Sequence, residues 1–259
     1  MTDVLRIAIA GSGRMGQAIA AQVVTANDAD LVGVWSRNPA RDEARFPAGT
    51  SLSPDIDALV DLADVLIDFS LPAGTVVAAG AAAAAQTPLV SGVSGLDAGQ
   101  LAAVHAAGQV IPVVYDRNMS QGVALLGSLA ERVAASLGSD FSIAIDETHH
   151  VHKIDAPSGT ALKLGEAVAG ARGRSLADVM WYEQAGEPPR DAVSFHVERR
   201  GEVAGDHRIR FESANETLTL AHSVTSRAVF AAGTLRAARW VMQASAGVYG
   251  MRDVLHLPQ

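Results

Sequence analysis

Residues 5–24 read LRIAIAGSGRMGQAIAAQVV and join an apolar run, a glycine-rich turn and an amphipathic stretch without a break. The run from Leu5 to Ala10 has the composition of a buried strand, and the segment from Gln17 to Val24 has helical spacing. Between them lies the pattern G-x-G-x-x-G, which binds dinucleotides when it connects a strand to a helix. This order predicts a Rossmann-type dinucleotide site, the alternative being a turn with a structural role only.

Each glycine of this turn has a separate task. Gly11 permits the tight turn, Gly13 lets the backbone approach a pyrophosphate, and Gly16 lets the helix pack closely on the strand. The pyrophosphate would rest on the N–H groups of the first helical turn. The predicted cofactor contacts of this segment are Gly11, Ser12, Gly13, Arg14, Met15 and Gly16.

The second predicted strand, residues 30–35, ends where NAD-selective sites usually place an acid for the ribose hydroxyls. This chain has Ser36 and Arg37 there, with Arg41 as a possible second cation. A hydroxyl and a guanidinium can hydrogen-bond a 2′-phosphate that a carboxylate would repel. We therefore predict that NADPH is accepted at least as well as NADH, unless Arg37 is an ordinary solvated arginine.

Apolar runs alternate with helical segments through the first half of the chain, as in a parallel sheet with helices on both faces. Further strands are predicted at residues 64–69, 88–90 and 110–114, and a helix at 76–85. Ligands of such doubly wound sheets bind beyond the carboxyl ends of the strands. The loops at residues 68–72 and 91–95 are therefore candidates for the nicotinamide side of the site.

After Asn118 the pattern changes. The elements predicted there are a helix at residues 121–137, strands at 141–146, 192–198, 207–212 and 217–222, and a helix at 226–245. The last three strands alternate apolar and polar residues, which indicates a sheet whose apolar face must be covered by helices or by another subunit. We expect an α/β chain with two domains. A Rossmann-type doubly wound parallel sheet at 1–120 is completed by 227–259, and an α+β substrate-binding and oligomerisation domain with a mixed sheet spans 121–226.

A helix start lies inside the segment ETHHVHKIDAPSGTA at residues 147–161. Ser158 follows a proline and precedes Gly159 and Thr160, so it is placed as the N-cap of a helix. The first turn of that helix leaves N–H groups without partners, and these attract a carboxylate.

Three histidines and a lysine lie just before this helix start. His149, His150 and Lys153 follow a predicted strand and would add positive charge and proton donors to the same volume. A single histidine at a strand end is more often a surface or packed residue, but the combination indicates a site for a small anionic substrate.

The composition excludes several classes of function. The net charge is −8 and no basic block is present, so a nucleic-acid surface is not expected. The chain has no cysteine, which excludes disulfides, thiolate nucleophiles and cysteine-ligated metals and fits a reducing cytoplasm. The first strand begins too early for a targeting segment, and no apolar run is long enough to span a bilayer, so we expect a cytoplasmic enzyme that does not bind membranes.

Taken together, these motifs resemble the 4-hydroxy-tetrahydrodipicolinate reductase family, also called dihydrodipicolinate reductase, of bacterial lysine biosynthesis. The resemblance runs nearly end to end, and its most specific part is HHVHKIDAPSGTA at residues 149–161. The other parts are GSGRMG at 11–16, DFS at 68–70, GVSG at 92–95 and MRDVL at 251–255.

The resemblance implies a homotetramer that uses NADPH or NADH to reduce 4-hydroxy-tetrahydrodipicolinate, a small dicarboxylate, in the diaminopimelate route. It implies His149 as the acid/base and Lys153 as the proton donor. The substrate-binding residues it implies are His150, Ser158, Gly159 and Thr160. With Ser36, the predicted cofactor-binding residues outside the glycine turn are Arg37, Phe69, Gly92, Val93, Ser94, Asp116, Arg117, Asn118 and Met119.

Two segments depart from the family pattern. Residues 92–95 are GVSG where the family usually has GTTG, and residues 116–120 are DRNMS where it has A-x-N-F-S. Backbone contacts survive such changes, whereas contacts that require a threonine or phenylalanine side chain cannot be carried over.

Three rival functions account for parts of the same pattern. A metal-assisted enzyme would draw its ligands from His149, His150 and His152 with Asp146 or Glu147. That spacing lacks H-E-x-x-H, and we expect no metal. A nonenzymatic dinucleotide sensor would use the glycine turn alone, and a reductase of a different small carboxylated imine would use both motifs. The residues alone also leave open whether Lys153 delivers a proton or pairs with a carboxylate.

Overall fold

The computed structural model describes residues 4–182 and 186–258. The chain forms two compact units, Met1–Gln121 with Arg227–His256, and Gly122–Ser226 with Leu257–Gln259. Within the described ranges no helix combines the length and the apolar character needed to cross a membrane.

The strands are β1 (Leu5–Ala10), β2 (Ala29–Trp35), β3 (Leu52–Ser53), β4 (Val65–Asp68), β5 (Leu89–Ser91), β6 (Pro112–Tyr115), β7 (Ser142–His149), β8 (Met180–Trp181), β9 (Val193–Arg199), β10 (Asp206–Glu212), β11 (Thr217–Ser223) and β12 (Gly247–Tyr249). The helices are α1 (Arg14–Val23), α2 (Pro39–Asp42), α3 (Ile56–Val60), α4 (Pro72–Ala85), α5 (Ala98–Gly108), α6 (Gln121–Ser136), α7 (Gly159–Ala171), α8 (Leu176–Val179), α9 (Ala228–Val241) and α10 (Met251–Val254).

The first unit is built on a parallel sheet. Its strand order, over the residues described, is β12-β6-β5-β4-β1-β2-β3, and every pair of neighbours is parallel. Helices α3, α4 and α5 pack side by side, while α9 packs against α1 and against β4, β5 and β6. The predicted Rossmann-type doubly wound sheet is therefore confirmed.

Small side chains allow the helices of this unit to lie close to the sheet and to one another. Ala78 and Ala82 of α4 are fully buried in the same core cluster as Val104 and Ala107 of α5. Pro72 opens α4 at a position where its missing N–H has no cost. An Asp97–Gln100 capping box opens α5.

The structure corrects the predicted boundaries near the end of the first unit. The helix predicted at residues 226–245 ends at Val241, and the short strand β12 follows it and pairs with β6. Val110, predicted as the start of a strand, is exposed, and that strand begins at Pro112. The segment at 251–255 belongs to the first unit, in which α10 packs against α9.

The second unit contains a mixed sheet, as predicted. In the described part of the chain its order is β11-β10-β7-β9-β8, with β7 antiparallel to β10 and parallel to β9. One face is apolar and is covered by α6 and α7, with Leu126, Leu164 and Phe211 in the shared core. Because strand side chains alternate, Glu147 and His149 of β7 share this covered face with Ile145.

Candidate active site

The glycine turn of the first unit has the form that a pyrophosphate requires. Gly11 has φ +112°, and a Cβ at this position would lie 2.6 Å from the backbone oxygen of Phe69. Gly13 is the N-cap of α1 and has no side-chain cap, and no atom lies within 4 Å of its missing Cβ. The first N–H groups of α1 are thus approachable by an anion, and the turn fits a dinucleotide.

The predicted cofactor residues follow the carboxyl ends of five adjacent strands. Residues 11–16 follow β1, residues 36 and 37 follow β2, and Phe69 follows β4. Residues 92–94 follow β5, and residues 116–119 follow β6. The structure therefore brings all of these segments to one edge of the first sheet, where doubly wound folds bind their ligands.

Ser36 is tied to an acid that the sequence did not reveal. Its buried hydroxyl donates to Asp42 at 2.7 Å and accepts the N–H of Asn38 at 3.2 Å. The Ser12 hydroxyl also donates to Asp42, as does Arg41 Nε at 3.0 Å. These hydrogen bonds, led by that from Arg41, hold the pKa of the Asp42 carboxyl well below its usual range.

This arrangement changes the expectation for the 2′-phosphate. The single hydrogen of the Ser36 hydroxyl is already donated to Asp42, so Ser36 supports the loop and does not offer that hydrogen to a ligand. Arg37, the other predicted contact for the 2′-phosphate, is exposed just after the end of β2.

Phe69 and Gly92 are in direct contact on the loops after β4 and β5, which the sequence predicts to lie on the nicotinamide side. A Cβ on Gly92 would overlap the Phe69 ring, so a larger residue at this position would require that ring to move. Beneath them, the buried Asp68 accepts hydrogen bonds from Ser70 Oγ at 2.6 Å and Ser91 Oγ at 2.9 Å. Burial raises the pKa of Asp68, which these hydrogen bonds only partly offset. The carboxyl ties the loop after β4 to β5.

The loop after β6 is also anchored internally. Asp116 is buried and accepts the N–H of Met251 and that of Asn118, both at 3.2 Å. Asn118 in turn accepts the N–H of Ser120 at 2.8 Å, and Met119 is buried. The departure from the family pattern at Asp116 therefore has a structural role, because it fastens the start of α10 to β6.

The second unit places a buried carboxylate at the centre of the predicted substrate site. Glu147 is 2% exposed, and the backbone N–H of Ser158 donates to its two oxygens at 3.1 and 3.2 Å. Arg199 Nη1 donates to Oε1 at 3.3 Å. Nδ1 of His149 and Nε2 of His207 lie 3.6 and 3.7 Å from Oε2. One acid therefore gathers groups from β7, β9, β10 and the start of α7.

Ser158 caps α7 as predicted. Its hydroxyl accepts the N–H of Ala161 at 3.2 Å and lies 3.4 Å from Nε2 of His207. Gly159 and Thr160 form the first turn of the helix beside it. The start of α7 is thus fixed next to His149 by a shared carboxylate.

Two buried histidines face each other in this cluster. The rings of His149 and His207 are 5.1 Å apart and nearly perpendicular. Burial lowers the pKa of His149, Glu147 opposes this, and Lys153 and Arg199 add to it. Burial and the neighbouring His149 lower the pKa of His207 to about 3, so His207 is neutral at physiological pH.

The loop after β7 carries the predicted lysine. Lys153 Nζ lies 2.8 Å from Oδ1 of Asp155. Arg199 holds the loop by donating from Nε to the Lys153 carbonyl at 3.2 Å and from Nη2 to the Asp155 carbonyl at 2.5 Å. Lys153 is thereby kept near His149, whose pKa it helps to lower.

The remaining two histidines of the motif do not join this cluster. His150 is half-buried, and its Nδ1 makes no hydrogen bond to any described residue. His152 is exposed and lies 3.5 Å from Glu202. The metal ligands suggested by the sequence are therefore not gathered at one point.

A different triad has metal-like spacing. The ligand atoms of Glu147, His149 and His207 all lie within 4.8 Å of one another. Both oxygens of Glu147, however, already accept N–H groups, and the guanidinium of Arg199 at 3.3 Å opposes a second cation. This donor set is better suited to holding His149 than to binding a divalent ion.

The chain matches one family along nearly its whole length. The description "Dihydrodipicolinate reductase, N-terminus" matches residues 5–119, and "Dihydrodipicolinate reductase, C-terminus" matches residues 122–255. The chain belongs to the dihydrodipicolinate reductase family. The resemblance seen in the sequence is confirmed.

Relatives within this family are close in sequence. The 4-hydroxy-tetrahydrodipicolinate reductase of Burkholderia multivorans is 41% identical over 98% of this chain and 100% of its own length. That of Alkalilimnicola ehrlichii is 41% identical over 97% of this chain and 99% of its own length.

Solved structures share the fold. A dipicolinate-bound dihydrodipicolinate reductase from Paenisporosarcina sp. TG-14 superposes with a TM-score of 0.80 at 24% identity, covering 96% of this chain and 99% of that one. The DAP dehydrogenase of C. glutamicum gives a TM-score of 0.55 at 14% identity, over 97% of this chain and 93% of that one.

Proposed function

We infer that this chain is an oxidoreductase that reduces 4-hydroxy-tetrahydrodipicolinate to tetrahydrodipicolinate with a reduced nicotinamide, in the diaminopimelate route to lysine. The observation that carries this inference is the buried Glu147–His149 pair of β7, to which the N-cap of α7 is hydrogen-bonded, in a chain whose other unit has an open glycine turn. The family membership supports the same reaction.

The substrate is a dicarboxylate, and the site offers cations and N–H groups for it. The relative from Paenisporosarcina is described with dipicolinate, which also carries two carboxylates. Here the first turn of α7 at Gly159 and Thr160 supplies N–H donors for one carboxylate. Lys153 supplies positive charge, and His150 a further polar contact.

The reaction removes one hydroxyl and adds two electrons. Loss of the 4-hydroxyl as water leaves a conjugated cyclic imine, and addition of hydride to it builds negative charge on the ring. A reduced nicotinamide, when bound, would supply the hydride. The protein must place the ring and supply one proton, which is the role we assign to His149 with Lys153 beside it.

Both nicotinamide cofactors are expected to serve, with NADPH used at least as well as NADH. The cofactor contacts we propose are those of the glycine turn, Arg37, Phe69, residues 92–94 and residues 116–119. Asp116 and Met119 are buried, so their contribution comes from the backbone of the loop.

Replacing Arg37 by alanine tests the cofactor preference. We expect kcat/KM with NADPH to fall about 10-fold, because one charge-assisted hydrogen bond to the 2′-phosphate is lost, and kcat/KM with NADH to change little. Steady-state kinetics with both cofactors measure this. Arg6→Ala is the control, since Arg6 pairs with Asp64 at 2.6 Å and precedes the carboxyl end of β1 by four residues. An equal loss with both cofactors would remove Arg37 from 2′-phosphate recognition.

We also propose that the chain works in the cytoplasm as a homotetramer joined through the second unit. The face of its sheet opposite α6 and α7 carries Asp146, paired with Arg210 at 2.8 Å and with His196 at 2.9 Å. Such a polar, ion-paired face can meet its own copy through complementary charges. Light scattering of the purified protein should give four times the chain mass of 26.8 kDa.

A coupled assay tests the function itself. The purified protein receives NADPH or NADH and the freshly generated product of dihydrodipicolinate synthase, and loss of the reduced nicotinamide is followed optically. Oxidation that depends on the synthase product is expected. Oxidation that needs a different carboxylated imine would favour a reductase of that compound, and cofactor binding without turnover would favour the sensor.

A further inference from the structure

We propose that Glu147 is the positioning residue of the candidate active site, holding the hydrogen of His149 on Nδ1 and leaving Nε2 to exchange the proton with substrate. This inference rests on the proposed function of His149 and adds to it the reacting atom and the group that selects it.

The geometry on the Nδ1 side carries the first step. Nδ1 of His149 is buried and makes no hydrogen bond to the residues described, and Oε2 of Glu147 lies 3.6 Å from it. A carboxylate only accepts hydrogen bonds, so the ring nitrogen that faces it must carry the hydrogen. Catalytic hydrogen bonds are often long without ligand and shorten when substrate binds. The neutral ring therefore has its hydrogen on Nδ1.

The Nε2 side of the ring is kept free by a glycine. Gly205 has φ +155°, and a Cβ built on it would lie 3.1 Å from Nε2 of His149 and 3.8 Å from Cε1 of His207. Any other residue would fill the space beside Nε2. Position 205 thus places no side chain against the reacting nitrogen, while Nδ1 faces the acid.

Glu147 is itself held in place by hydrogen bonds from Ser158 and Arg199. The Ser158 N–H and Arg199 fix the two oxygens, so the carboxylate cannot rotate away from His149. The triad of Glu147, His149 and His207 has one further imidazole, that of His207, at 3.7 Å from Oε2. This imidazole is neutral at physiological pH. His149 is therefore the imidazole that can present a cation to this acid.

Among the charges around His149, that of Glu147 does most to raise its pKa. Burial lowers the pKa of His149, and Lys153 from the following loop and Arg199 from β9 lower it further. Glu147 on β7 raises it, followed by Asp155 on the loop. His207 on β10 also faces the ring, with His222 of β11 behind it. Removing the charge of Glu147 should consequently weaken the hold of His149 on its proton.

The proton step follows from this arrangement. As hydride adds to the conjugated imine, the imidazolium of His149 gives its Nε2 proton to the substrate ring. This proton neutralises the negative charge that the hydride builds on the substrate. The imidazole keeps its Nδ1 hydrogen against Glu147 and regains a proton from water before the next turnover. No further reactant is needed.

Two measurements test the proposal. The first is magic-angle-spinning NMR of wild-type protein labelled with 15N-histidine, with His149→Gln used to assign the signal. We expect the neutral ring of His149 to be protonated on Nδ1 and unprotonated on Nε2. A neutral ring protonated on Nε2 would overturn the proposal without any need for a Glu147 variant.

The second measurement is the pH profile of kcat for Glu147→Gln. The upper limb, where His149 loses its proton, should move down by about one pH unit, and kcat at neutral pH should fall about 10-fold or more. Glu202→Gln is the matched control, because Glu202 also lies 3.5 Å from a histidine, His152, but both are exposed. Its profile should equal that of the wild type.

An unmoved upper limb in folded Glu147→Gln would refute the proposal. Glu147→Asp keeps the charge and should retain most of the wild-type profile, whereas a merely structural role would penalise both variants alike. If Glu147→Gln does not fold, the tautomer of the wild type decides alone. Full turnover by His149→Gln would refute the proposed role of His149, and that result is distinguishable because the tautomer is measured without turnover.

Discussion

Replacing His149 by glutamine is expected to lower kcat by about 10²- to 10³-fold with only a modest change in the KM for substrate. Glutamine is polar and of similar length but cannot carry and release a proton near neutral pH, which is the loss expected for a general acid. The cluster around Glu147 should persist, because Ser158 and Arg199 hold the carboxylate independently of His149. Steady-state kinetics at several pH values measure the effect.

The matched control for this variant is His152→Gln. His152 belongs to the same motif but is exposed and paired with Glu202, so its replacement should leave kcat and KM near the wild-type values. Near-normal turnover by His149→Gln would remove His149 from the mechanism. A large loss in both variants would indicate that the loop, and not the proton, is responsible.

Replacing Lys153 by alanine is expected to lower kcat and to raise the KM for substrate together, each by about 10-fold or more. A hydrogen bond to a charged group contributes about 1.5–3 kcal/mol, and its loss affects ground-state binding as well as the transition state. The variant also leaves Asp155 without its 2.8 Å partner, which adds a repulsive charge for an anionic substrate. Kinetics with varied substrate at saturating cofactor separate the two parameters.

Arginine at the same position distinguishes the two roles left open for Lys153. Lys153→Arg keeps the positive charge but transfers protons poorly, so it should restore KM, and it restores kcat only if Lys153 pairs with a carboxylate. Arg174→Ala is the control, since it removes an exposed cation of the same unit that also has a 2.8 Å acidic partner, Asp191. An unchanged KM in Lys153→Ala would contradict a role in substrate binding.

The sequence predicted the strands of four or more residues that the structure describes, together with the helices α1, α4, α6, α7 and α9. It missed β3, β8 and β12, which have only two or three residues. Such runs have too few positions to show alternation, and their pairing depends on neighbours that are distant in the chain. The predicted helix was extended to Ser245, past its actual end at Val241, because no capping signal in the sequence marks that end.

The sequence also predicted the residues of the site that are adjacent in the chain, but not those that other strands contribute. Ser158 at the start of α7 was predicted from its neighbours, whereas Arg199 and His207 contribute from other strands. A signal for both exists, since Arg199 continues the series Val193, Phe195, Val197. His207 likewise precedes Ile209 and Phe211 at the same spacing. Alternation places both on the covered face of the sheet.

Asp42 had no comparable signal. It lies in the short helix α2, six residues beyond Ser36, and its contact with Ser12 depends on how the loop after β2 folds back on the glycine turn. The residues that directly follow β2 include no acid, as the sequence indicated, but the carboxylate of Asp42 lies beside them in space. Only the three-dimensional arrangement brings the carboxylate there.

The position of β12 has a consequence for biosynthesis. Strands β6 and β12 are neighbours in the first sheet, yet the ribosome makes residues 122–226 of the second unit between them. During that interval the nascent sheet ends at β6 with unpaired peptide groups, and Asp116 has no Met251 N–H to accept. An unpaired edge invites pairing with other chains. Completion of the nucleotide-binding half therefore waits for the last segment to leave the ribosome, and a polypeptide stalled before Gly247 would carry an exposed, aggregation-prone edge.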